Sequence, residues 1–144
     1  MSLEENKAVV RRFWEEGCDQ RKVEVFDELM APNCPYHVNS GLMIGPEPHK
    51  RFVEAFARAF PDGHVTVEEL LAVDDKVISM VRLRGTHQGE YMRGGMAAPI
   101  PATGRQLDLV AIDIVRVADG RIVEAWETFD TSWVADLAVA AQQP

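Results

Sequence analysis

Two runs of alternating residues, Leu107 to Val117 and Ile122 to Asp130, are separated by Asp119-Gly120. Asp-Gly between such runs is a strong signal for a two-residue β-hairpin. No other feature constrains the fold as tightly, because the side-chain period of a strand is two and a fixed turn decides which residues share a face. With Ala118 opposite Arg121, Asp113 is expected opposite Trp126, and Leu109 opposite Asp130. One face then carries Leu109, Ala111, Asp113, Val115, Glu124, Trp126 and Asp130. The other carries Val110, Ile112, Ile114, Val123, Ala125 and Phe129, with Glu127 near its margin. The second face is a dry packing surface. The first mixes apolar walls with carboxylates, so it either meets solvent or lines a polar pocket, where Asp113 is a second acid or a structural carboxylate.

An earlier hairpin turns at Asp74-Asp75 and pairs Val73 with Lys76. Gly85 then falls opposite His64, with His87 two residues along on the same face. These histidines either line one cavity mouth or are unrelated surface residues. Helical patterns fill the first part of the chain. Ser2 with Glu5 is a capping box, followed by Val9, Val10, Phe13 and Trp14 at helical spacing and a stop at Gly17. A second short helix covers Val23 to Met30. A third opens at Pro46, carries Phe52, Phe56 and Phe60 on one stripe, and ends before Pro61; His49 reads as a solvated residue on it. Gly89 to Gly104 reads as a long loop of the kind that forms lids. A last short helix holds Trp133, Leu137 and Ala138. Helices first and an antiparallel sheet after give an α+β order. A strongly curved sheet wrapped over the helices leaves a blind pocket between the layers.

The 144 residues suit one domain, 1–144. A net charge of −8 disfavours nucleic acid and anionic lipid as partners. No apolar run approaches the ~20 residues that span a bilayer, and the first residues carry no signal-peptide pattern. Cys18 and Cys34 read as free thiols of a reducing cytoplasm. The scattered histidines and absent paired-cysteine spacing disfavour a metal site. No dinucleotide, phosphate-loop or serine-elbow motif is present.

An ordered set of short pieces resembles the SnoaL-like polyketide cyclase family, within the fold of nuclear transport factor two and ketosteroid isomerase. The pieces are Val9-Val10-Arg11-Arg12-Phe13-Trp14, Pro35-Tyr36-His37, Phe60-Pro61-Asp62 with His64, Gly85-Thr86-His87-Gln88-Gly89, Ala102-Thr103-Gly104-Arg105, Asp119 to Glu124, and Trp126 with Asp130. The resemblance implies an α+β cone: N-terminal helices packed on a strongly curved, mainly antiparallel sheet that encloses an apolar pocket. It implies cofactor-free, metal-free ring closure of a polyketide ester by intramolecular aldol condensation. Asp130 matches the family's acid/base, and His37 and His87 match pocket-facing positions. The substrate-binding set expected around them is Trp126, Asp113, His64, Leu109, Phe13 and Trp14. Extra residues at Gly94-Gly95-Met96-Ala97-Ala98 set the pocket mouth apart from the family pattern.

An aldol closure removes a proton beside a carbonyl and returns one to the new alkoxide. One carboxylate can do both if apolar walls raise its pKa toward neutrality. The alternatives are a non-catalytic module that binds a small apolar molecule, and a hydrolase, dehydratase or isomerase using the same pocket. Asp130 could instead cap the following helix. The apolar Val110, Ile112, Ile114 face with Phe129 offers surface for a homodimer or higher oligomer.

Overall fold

The computed structural model describes residues 2–39, 41–93 and 96–143. Helix α1 (Leu3–Arg12) opens on the expected capping box: Ser2 accepts from the Glu5 backbone and Glu5 accepts from that of Ser2. The helix does not stop at Gly17. It widens into a π-helical segment, Phe13–Asp19, where the Gln20 amide reaches back to the Glu15 carbonyl. Gly17 is required for packing rather than termination, since a Cβ there would lie 2.5 Å from the Phe26 ring. Helix α2 (Val25–Leu29) is short, and α3 (Glu47–Ala59) opens after Pro46 as expected.

The Pro35-Tyr36-His37 segment is extended. It forms strand β1 (Pro35–Val38), which turns into β2 (Gly41–Ile44). The remaining strands are β3 (His64–Val73), β4 (Lys76–Thr86), β5 (Gln106–Ala118) and β6 (Arg121–Phe129), followed by helix α4 (Ser132–Ala141). They form one six-stranded, unclosed sheet in the order β2-β1-β6-β5-β4-β3. Every pairing is antiparallel except β1 with β6. The helices lie on the concave side and bury Phe13, Phe26, Phe56 and Phe60 against Val77, Val81, Val115 and Ala125. The α+β, curved-sheet expectation holds.

Two β-bulges decide which side chains reach that concave side. The Asp119-Gly120 turn pairs Ala118 with Arg121 as expected, but the register then shifts. Val117 pairs with Ile122 and Arg116 with Glu124, so Val123 is an extra residue on β6. Beyond it Asp113 faces Glu127, Ile114 faces Trp126 and Ala111 faces Phe129. A one-residue slip exchanges the two faces of a strand. The expected pairs Asp113–Trp126 and Leu109–Asp130 are therefore corrected: Glu127 and Phe129 turn inward, and Trp126 turns out. A second shift, between Val67 and Glu69, puts His64 opposite Arg84 rather than Gly85. Both bulges also add local twist, the curvature a sheet needs to wrap helices.

The outer face carries a continuous apolar row. Leu71, Ile78, Ile114, Trp126 and Leu42 follow one another across the sheet with His37 between the last two, and all five apolar side chains are exposed.

Candidate functional site

The concave side of the sheet closes on the π-helical segment and α3 around a narrow apolar cavity. Its walls include Phe13 and Trp14 from the π-helical segment, Phe52 and Phe56 from α3, Leu109 from β5 and Phe129 from β6. The space open to the centre of a water molecule is about 60 Å³. Polar side chains on this surface are few: Glu127 from β6, His49 from α3 and Arg93 from the β4–β5 loop. Cys18 also lines it, with its thiol pushed well up by burial and then by the nearby charge of Glu127.

Behind the wall runs an unbroken polar chain. The Trp14 indole Nε1 donates to Ser79 Oγ at 3.2 Å. Ser79 Oγ in turn donates to Asp113 Oδ1. The Tyr36 hydroxyl lies 2.5 Å from Asp113 Oδ2 and 3.3 Å from Glu127 Oε1. Its one proton cannot serve both carboxylates. Burial, and then the charge of Glu127, drive the Asp113 carboxyl well above its usual range. A neutral Asp113 can donate to Tyr36, which leaves the phenolic proton for Glu127. Burial raises Glu127 from 4.5 to about 7, against the lowering effects of Tyr36 and Arg93. A carboxyl near 7 exchanges protons in either direction at neutral pH, which is what a general acid/base requires. The Tyr36 phenol is itself held protonated, chiefly by burial.

His49 is not solvated. It is buried beneath Tyr36, with ring centroids 4.5 Å apart, and beside Phe13 at 5.4 Å. Burial, then the positive charge of Arg93, lower its imidazole to about 4, so it is neutral. Arg93 lays its guanidinium over the Phe52 ring at 4.9 Å.

The residues expected from sequence divide sharply. Phe13, Trp14 and Leu109 line the cavity, and Asp113 stands one link behind it. Asp130 does not reach it. Its side chain is exposed and accepts from the Ser132 amide at 2.9 Å, which lowers its pKa; it stands one residue before Thr131, the N-cap of α4. Trp126 lies on the outer face, stacked on His37 at 5.6 Å, and His37 Nε2 sits 3.1 Å from Glu124. His37 is carried there because β1 pairs in parallel with β6, His37 beside Trp126. His64 is exposed and lies against Asp19 at 3.1 Å. His87 is fully buried, but as a clamp. Its backbone bonds to Arg105 and Gly104, and its Nδ1 lies 2.9 Å from Thr103, closing the base of the β4–β5 loop. Of the segment expected to reshape the mouth, Gly94 and Gly95 lie outside the described residues; Met96 packs on the core, and Ala97 and Ala98 are exposed. The sequence reading missed Glu127, Tyr36 and His49. It had grouped Glu127 with Ala125 and Phe129 correctly, and attached that group to the wrong face of β5.

Among the described residues no cluster of three or more His, Cys, Asp or Glu side chains could hold a metal ion. No helix among them is long and apolar enough to cross a membrane.

No curated protein matches this sequence. Solved structures do. A candidate SnoaL-like polyketide cyclase from Jannaschia sp. CCS1 shares 23% identity with a TM-score of 0.77, covering 99% of this chain and 95% of its own. AclR, a candidate hydroxylase from Streptomyces galilaeus, shares 22% with a TM-score of 0.77, covering 96% and 98%. IdmH, a candidate polyketide cyclase from Streptomyces antibioticus, shares 25% with a TM-score of 0.70, covering 92% and 96%. The first two likenesses establish the shared fold, that of nuclear transport factor two. The sequence model of the SnoaL-like polyketide cyclases matches residues 8–136, nearly the whole chain. The chain belongs to the SnoaL-like polyketide cyclase family.

Proposed function

We propose that the chain is a cofactor-free enzyme of the polyketide-cyclase type, with Glu127 as its acid/base. The observation that carries this reading is a single carboxyl, raised to about 7, on the wall of an otherwise apolar cavity. Ionised Glu127 removes a proton from a carbon flanked by carbonyls. The resulting enolate carbon attacks a second carbonyl of the same molecule, forming the ring bond. The alkoxide so formed takes the proton back from Glu127. Neutral Asp113 and Tyr36 hold the Glu127 carboxyl in place throughout. Activation of water by two cavity acids is disfavoured, because Asp113 stands behind Tyr36 rather than on the wall.

The test is ring closure of an aromatic polyketide ester by two variants. Glu127→Gln is expected to lose about 10²–10⁴-fold in kcat, the usual contribution of a positioned acid/base. Asp130→Asn is expected to keep the wild-type rate. Wild-type turnover by Glu127→Gln, or loss confined to Asp130→Asn, overturns the assignment.

The free thiols fit a reducing compartment such as the cytoplasm. The outer row through Ile114 and Trp126 fits a homodimer, two copies joined sheet to sheet. Trp126→Asp is expected to yield monomers in light scattering with the cavity intact, and an unchanged mass refutes that interface.

A further inference from the structure

The cavity wall carries a guanidinium that makes no direct ion pair among the described residues; Glu127, on the same wall, acts on it only at longer range. Arg93 lines the wall, and among the described residues no carboxylate lies within ion-pair distance of it. Its guanidinium rests on the face of Phe52 instead. A ring face compensates a cation only partly. A planar guanidinium is shaped for two parallel bonds to a carboxylate. The second observation is independent. His49 also lines the cavity, is more than nine-tenths buried, and its Nε2 has no hydrogen-bond partner. Buried polar atoms are nearly always paired, so an orphan on a cavity wall marks a place for a ligand atom. Arg93 acts electrostatically on both His49 and Glu127, so the three groups share one small volume.

We propose that the cavity selects aromatic polyketide esters that carry a free carboxylate besides the ester, bound by the Arg93 guanidinium and supported by the His49 imidazole N–H. The anion takes the open fork of the guanidinium while the aromatic walls take the ring. Glu127 keeps its own place deeper in the site, beside Tyr36. This inference rests on the reading of the cavity as the substrate site.

The test uses the intact chain and two ligands alike in shape, naphthalene-2-carboxylate and its methyl ester, titrated calorimetrically at pH 8. Wild-type protein is expected to bind the carboxylate at least about tenfold tighter than the ester, the yield of one charge-assisted hydrogen bond. Arg93→Gln should erase that preference by weakening the carboxylate alone, and Arg93→Lys should restore part of it. His49→Gln, which keeps a donor, should retain the preference, and His49→Phe should reduce it. Equal binding of the two ligands, or an Arg93→Gln variant that still prefers the carboxylate, overturns the inference while leaving the cavity as the substrate site. Binding of neither ligand overturns both.

Discussion

Replacing Glu127 by glutamine should make the protein more stable, by a margin that grows as pH rises from about 4.5 to 7. The folded carboxyl titrates near 7 against an ordinary value of 4.5. Its folded pKa is raised, so the native state binds the proton more tightly than the unfolded chain does. Stability from this group is fully present below about pH 4.5 and is lost progressively as pH rises through 7. Each pH unit of difference is worth about 1.4 kcal/mol. Allowing for the partial wetting of a cavity wall, ionised Glu127 costs the fold about 2–3 kcal/mol at pH 8. Glutamine keeps the shape and still accepts from Tyr36, but never ionises. A chain of 144 residues unfolds with about 0.3 kcal/mol/K of entropy, so the variant's Tm should exceed wild type by about 7–10 °C at pH 8. At pH 4, below the ordinary carboxyl value, the two should melt together. Circular dichroism melts at both pH values measure the difference without any substrate. A gap between variant and wild type that is the same at both pH values refutes the raised pKa, and the acid/base assignment with it.

Two further outcomes follow from the same geometry. Tyr36→Phe keeps the ring that packs on His49 but removes the donor that favours ionised Glu127. The rise of kcat with pH should then move up by about one pH unit; an unchanged or lower midpoint refutes the hydrogen-bond chain. Gly17→Ala places a Cβ 2.5 Å from the Phe26 ring and should destabilise by about 1–3 kcal/mol in denaturant melts. No loss would mean that the π-helical segment can shift freely.

The first helix, the phenylalanine stripe of α3 and the two long hairpins are readable because each rests on local periodicity or on a turn. Alternation groups Leu109, Ala111, Asp113 and Val115 on one face of β5, but it does not say which face turns inward: the Val110, Ile112, Ile114 face, expected to be a dry packing surface, is the outer one, with Ile112 and Ile114 exposed. What alternation does not reveal is an inserted residue within a strand. Ile122 and Ala125 are both buried yet stand three positions apart. That spacing is the trace of the bulge at Val123, and it is easily lost between a strong turn and a run of apolar residues. Missing it exchanged Glu127 for Trp126. Tyr36 and His49 escaped for another reason. β1 finds its place by parallel pairing with a strand nearly ninety positions later, as in Tyr36 beside Ala125. His49 sits beneath the aromatic rings of β1 and the π-helical segment. Such long-range neighbours leave no periodic mark on the chain.

The polar chain that begins at Trp14 has an optical consequence. An indole whose N–H ends a relay to Glu127 senses, through three intervening groups, whether that carboxyl is charged. With Trp126 and Trp133 replaced by phenylalanine, the remaining fluorophore becomes a built-in gauge of the proton at the cavity wall, readable in the resting protein without any substrate.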